Sequence, residues 1–74
     1  MVKYVVTRYS LTEAIFVFSP HVEHSKFAKH MGVVLSAGFV NMETKTCYGE
    51  SISLRIKSRP EIDNILLRIL LEEK

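Results

Sequence analysis

One cysteine, Cys47, is the whole thiol inventory of this chain. That excludes an internal disulfide and, with no C-x-x-C pair, a zinc site built on thiolates. Glycine is nearly as scarce. Gly32, Gly38 and Gly49 are too scattered to form a dinucleotide-binding or P-loop phosphate cradle. No G-x-S-x-G nucleophile elbow is present, and the carboxylates are spread over turns and helix ends without a visible pair. No apolar run approaches the ~20 residues that span a bilayer. Thr7, Arg8 and Ser10 interrupt the apolar start too early for a signal peptide. With a free cysteine suited to a reducing compartment, these absences lead us to expect a cytoplasmic protein with no membrane partner and no cofactor.

Strong charge is also missing. The formal net charge is +2. Residues 1–37 hold four basic and two acidic groups, and residues 38–74 hold six of each. A strong nucleic-acid binder is usually more basic than this.

What is present is apolar: 47% of the residues are hydrophobic and 24% charged, the balance of a folded globular chain. We read residues 1–74 as a single domain. At 74 residues, folding buries only about 60% of the surface of the unfolded chain. A domain this small usually needs a staple or an oligomer, and without disulfide or thiolate metal site the expectation is oligomerisation.

The residue pattern predicts strand, strand, helix, twice over. Val2 to Tyr9 is rich in valine and tyrosine, which favour strands. Ser10 to Glu13 connects it to a second strand, Ala14 to Phe18, whose unbroken apolar run suits burial on both faces. Ser19-Pro20 has the form of a helix start, an N-cap serine followed by proline, and Gly32 marks the stop after Met31. A third strand is expected over Val33 to Asn41. A fourth is expected over Thr46 to Lys57, where Ile52, Leu54 and Ile56 alternate with Ser51, Ser53, Arg55 and Lys57. Ser58 and Glu61 have capping-box spacing at the head of a last helix that runs to Lys74. The expected fold is α+β: a two-layer sandwich in ββαββα order, with a four-stranded, mainly antiparallel sheet and both helices on one face. The other face would carry small residues, Ser36, Gly38 and Cys47 among them. It would be either a solvated surface or a contact surface for another sheet or a flat ligand; contact with another sheet would make it a second site of self-association.

The last helix is apolar nearly all round, which usually means burial on more than one side. Ile62, Ile65 and Ile69, with Leu66, make an ordinary core face. Leu67 and Leu71 continue the apolar surface past it, and Leu70 is a shared edge. Asp63 is isolated among the leucines. Leu67, Leu70 and Leu71 are therefore the expected oligomer interface, most simply of a homodimer. The leading functional expectation is a small non-enzymatic, homo-oligomeric protein-interaction module, with regulation as one candidate role.

Two rival chemistries are visible. Arg55, Lys57 and Arg59 form a basic row, with Lys26 and Lys29 flanking the first helix, and together they would track a phosphate backbone if they shared one surface. Lysine and arginine at a strand edge equally serve to discourage aggregation. His21 and His24, three apart on the first helix, would make half a metal site, needing Glu50 or Cys47 as a further ligand. His24 also falls on that helix's apolar stripe with Phe27, Ala28 and Met31, where a hydrogen-bonded core-edge histidine is the ordinary outcome. Cys47, in a strand and away from any base, reads as a small apolar residue.

Overall fold

A computed structural model describes residues 1–72. The chain folds as a compact α+β unit around a four-stranded antiparallel sheet, with a C-terminal helix. β1 (Val2–Tyr9) and β2 (Thr12–Phe18) form a hairpin in register from Tyr9 opposite Thr12 to Lys3 opposite Phe18. Ser10 adopts the left-handed φ of 57° that a two-residue hairpin loop demands, so β2 begins two residues earlier than expected. β3 (Val33–Asn41) pairs with the other side of β1, with a bulge opposite Val6 and Thr7. β4 (Thr46–Tyr48) pairs with β3, giving the order β2-β1-β3-β4. β1 is thus central, and Tyr4, Val5, Val6 and Thr7 are fully buried.

The expected fourth strand is broken. Gly49, with φ of 77°, ends β4, and the chain folds back as a separate ribbon of β5 (Glu50–Ser51) and β6 (Ile56–Lys57). The turn between them is built by side chains that alternation does not register. Ser51 Oγ accepts the Leu54 N–H at 3.1 Å, and Arg55 takes a φ of 57°. Ile52, which the alternation places on one face with Leu54 and Ile56, instead sits at the tip and is 87% exposed.

The first helix is also shorter than expected: α1 spans only His24–Phe27. Ser19 Oγ accepts the His21 N–H at 3.2 Å, and the Ser19 carbonyl accepts the Val22 N–H at 3.1 Å. Ser19 therefore closes a local turn, which competes with capping a helix. α2 covers Pro60–Glu72. The expected extension of this helix to Lys74 lies outside the described residues.

The two helices lie on opposite faces of the sheet, which corrects the expected arrangement. One core cluster joins Tyr4 and Val6 of β1 to Ile15, Val40, Cys47 and Leu67 of α2. The other joins Val5, the β1 residue between them, to Phe18, Ala28 and Ala37, with Leu54 and Ile56 of the ribbon packed against it. Neighbouring strand residues point to opposite faces, so α2 covers one face, and α1 with the β5–β6 ribbon covers the other. The small-residue surface of β3 and β4 is consequently not free. Ser36, Val40 and Cys47 are buried on the α2 face. Gly38 is needed because β4 passes so closely: a Cβ there would lie 2.4 Å from the Tyr48 carbonyl oxygen.

Candidate functional site

Three features stand out: the anchor that seats α2, the outer face of α2, and a cleft on the opposite side of the sheet. The anchor starts from Asp63, a fully buried carboxylate. Its Oδ2 accepts the Tyr4 hydroxyl at 2.5 Å and the Arg59 N–H at 2.8 Å, and its Oδ1 accepts Arg59 Nη2 at 3.1 Å. The same guanidinium donates to Glu13 Oε1 of β2 at 2.9 Å. One turn further along α2, Asn64 Oδ1 accepts the Cys47 N–H of β4 at 2.6 Å. Polar side chains thus tie the first turns of α2 to β1, β2 and β4. The reciprocal contact expected between Ser58 and Glu61 is made by Asp63 instead, which holds the N–H of the residue preceding the helix. Burial, the hydrogen bond to Asp63 and the Asp63 charge together push the Tyr4 phenol well above its ordinary pKa, so it stays a proton donor.

With Asp63 facing inward, the geometry of the helix decides the rest. Leu67, four residues on, follows it into the core and is fully buried. The assignment of Leu67 to the oligomer interface is therefore corrected: this domain's own sheet uses it. Leu70 and Leu71 flank that buried line and are 39% and 38% exposed. Ile62, Ile65 and Ile69, expected to form the core face, are instead 47%, 59% and 51% exposed. At 100° per residue they lie almost opposite Asp63 and Leu67. Leu11, at the β1–β2 turn, is nearly fully exposed and lines a shallow depression with Ile62, Ile65 and Leu66. Glu61 and Arg68, both exposed, fall in one row beside the isoleucines.

The cleft lies under the other face. It has a volume of about 560 Å³ and a mostly apolar lining that includes Lys3, Glu23, His24, Phe39, Gly49 and Glu50. His24 is buried, with its ring edge-on to Phe18 at 5.5 Å and to Phe39 at 5.7 Å. Nε2 lies 2.8 Å from the Gly38 carbonyl oxygen. A carbonyl only accepts, so Nε2 carries the proton and Nδ1 is the ring's acceptor. Burial, more than the nearby Lys3 charge, lowers the His24 pKa, although the Gly38 contact pulls the other way. Lys3 Nζ donates to the Val22 carbonyl at 3.0 Å. Ser53 Oγ accepts the Ser25 N–H at 3.2 Å, tying the ribbon to α1.

The sequence-derived candidates separate accordingly. His24 and Glu50 do share the cleft, but His21 is exposed in the turn before α1, and Cys47 is buried across the sheet with α2. Burial and the Asp63 charge push the Cys47 thiol up to about 11, which leaves it protonated and poorly nucleophilic near neutral pH. Among the described residues, no three His, Cys, Asp or Glu side chains are grouped to hold a metal. Of the five basic residues, Arg59 is committed to Glu13 and Asp63. Lys26, Lys29, Arg55 and Lys57 are exposed, and they belong to the elements on the cleft side of the sheet and the segment just after α1. Among the described residues no helix is long and apolar enough to cross a membrane. Sequence reasoning missed the Tyr4–Asp63–Arg59 anchor. Its signal was Asp63 itself, a charge placed among leucines. No protein-family model, no curated protein and no solved structure matches this chain.

Proposed function

We propose that the protein is a non-enzymatic interaction module that self-associates through the outer face of α2. The observation that carries this reading is the row of Ile62, Ile65 and Ile69, each about half exposed on the helix side opposite the buried line. Leu11 adds to the same apolar surface, and Leu70 and Leu71 border it where the helix is less deeply buried. Contiguous apolar surface of this kind on a small chain marks an interaction site. The partner is a second copy, and the charges set its direction. An antiparallel pairing of α2 centred between Asn64 and Ile65 puts Glu61 of one copy beside Arg68 of the other, and does so twice by symmetry. In a parallel pairing the two rows would lie on opposite sides of the interface, and Glu61 and Arg68 would not meet. Complementary flanking charges of this kind select orientation more than they add affinity.

Sedimentation velocity over a range of protein concentrations tests the reading. The wild type is expected to dimerise, and Ile65→Glu with Ile69→Glu to give a folded monomer. Glu61→Arg alone should weaken the dimer, and adding Arg68→Glu should restore it. A wild type that stays monomeric at high concentration rejects the proposal.

A further inference from the structure

The cleft on the far side of the sheet plays no part in self-association through α2, and its chemistry is specific enough to name a ligand class. We infer that it binds a small zwitterionic aromatic compound whose ring carries an N–H or O–H, with the ring donor bonded to His24 and the charged end held between Lys3 and the carboxylates of Glu23 and Glu50.

The volume, about 560 Å³, lies within the range of about 300–1,000 Å³ for small-molecule sites. The lining is mostly apolar, and Phe39 contributes a half-buried ring to it. The wall beside that ring is backbone. Gly49, at φ of 77°, lies so close that a Cβ would stand 3.0 Å from Phe39 Cδ2. Such a surface takes a flat apolar body. The deepest polar group is His24, 4% exposed, whose Nε2–H is spent on Gly38. Among the described residues no group donates to its Nδ1. Nδ1 is not one of the buried polar atoms without a partner, so it is open to solvent, and a ligand donor can take the place of water there. The rim holds one cation and two carboxylates, Lys3 against Glu23 and Glu50. Lys3 is fixed by the Val22 carbonyl, which leaves ammonium hydrogens to meet a ligand carboxylate. The two glutamates, both exposed, supply acceptors for a ligand ammonium. An apolar body, a ring donor and a charged end of both signs together describe an aromatic amino acid of the tryptophan or tyrosine type.

The test is an amide NMR titration of the full chain with L-tryptophan, with L-phenylalanine and N-acetyl-tryptophanamide as comparison compounds. Tryptophan is expected to produce saturable shifts at the Gly49, Phe39 and His24 amides in about the millimolar range. Phenylalanine, lacking the ring donor, should bind about tenfold more weakly, because a site built around a hydrogen bond rejects a ligand that cannot make it. The capped compound, lacking the charged end, should also bind more weakly. Glu50 is exposed and Lys3 lies at the rim, so Glu50→Gln and Lys3→Met test the charged end while an overlaid unliganded spectrum confirms the fold. Each should weaken tryptophan binding several-fold. No saturable shift at those amides up to about 10 mM tryptophan overturns the inference. So does equal binding of tryptophan and phenylalanine, equal binding of the capped compound, or unchanged affinity in both variants.

Discussion

On its inner face α2 buries one leucine, Leu67, and one carboxylate, Asp63; on its outer face it leaves Ile62, Ile65 and Ile69 half in solvent. A count of apolar residues alone would put the helix on its isoleucines. The anchor makes the opposite choice. Asp63 receives hydrogen bonds from Tyr4 and from both the backbone and the side chain of Arg59, and these fix the rotation of the helix about its axis. Rotating the isoleucines inward would turn the Asp63 carboxylate away from its donors and leave the buried Tyr4 hydroxyl without its acceptor. An unpaired buried polar group costs about 1–3 kcal/mol. Hydrophobic attraction has no preferred direction, whereas a buried carboxylate with three donors does, so the polar group sets the orientation and the apolar groups adapt to it.

The largest expected effect comes from breaking the inner face at that anchor. Asp63→Ala removes the acceptor of Tyr4 and of the Arg59 N–H, and leaves the guanidinium with Glu13 alone. Losing one partner of a buried ion pair costs about 3–5 kcal/mol. Arg59 is partly exposed, which places the expected loss toward the lower end of that range. Urea denaturation at neutral pH measures it. A loss below about 1 kcal/mol would mean that Leu67 and the strands seat α2 without the carboxylate.

Much of the fold was legible in the residues, and the reasons it was legible also explain where reading failed. β1, β2 and β3 announce themselves through local composition and alternation, and Pro60 after a polar pair announces α2. Such signals need only neighbours in sequence. The break in β4 depended on the positive φ of Gly49 and on Ser51 bonding Leu54, a local choice that competes with strand alternation and wins. The shortening of α1 has the same origin in Ser19. The face of α2 was not legible, because it depends on Tyr4, 59 residues away from Asp63. The cleft was half legible: His24 fell on an apolar stripe, but its meeting with Glu50 across the ribbon was a tertiary event.

A smaller effect comes from the other side of the sheet. The His24 imidazole has a pKa below its ordinary value of about 6.5 because burial disfavours its charged form, with Lys3 adding to the shift and Gly38 opposing it. As pH falls through 6.5, the unfolded chain takes up a proton that the folded chain resists. Stability should therefore decline below pH 6.5, until the folded protein's own His24 titrates. Glu23 and Glu50 stand at the same cleft and are exposed, so water screens them. His24→Gln keeps an N–H donor for Gly38 and does not titrate. Denaturation midpoints at pH 7 and pH 5.5 should differ more in the wild type than in this variant. An equal difference in both would assign the acid sensitivity to other groups.

The smallest expected effect is on the outer face, and it sharpens the contrast. If the three isoleucines are outside the domain's own core, Ile65→Ser should change the stability of the monomer by no more than about 0.5 kcal/mol, the usual scale for a surface substitution. The same change should abolish any rise of the denaturation midpoint with protein concentration, because linked association stabilises the folded state only through the partner. The pair of measurements separates two contributions that a single melting curve mixes. Measured at low concentration, Ile65→Ser reports how the helix sits on its own sheet. The dependence on concentration reports what a second copy adds. A monomer destabilised by several kcal/mol would place Ile65 in this domain's core and erase the distinction between the two faces. A monomer left unchanged, with the concentration dependence gone, would show that α2 carries two separate apolar surfaces held apart by a single carboxylate.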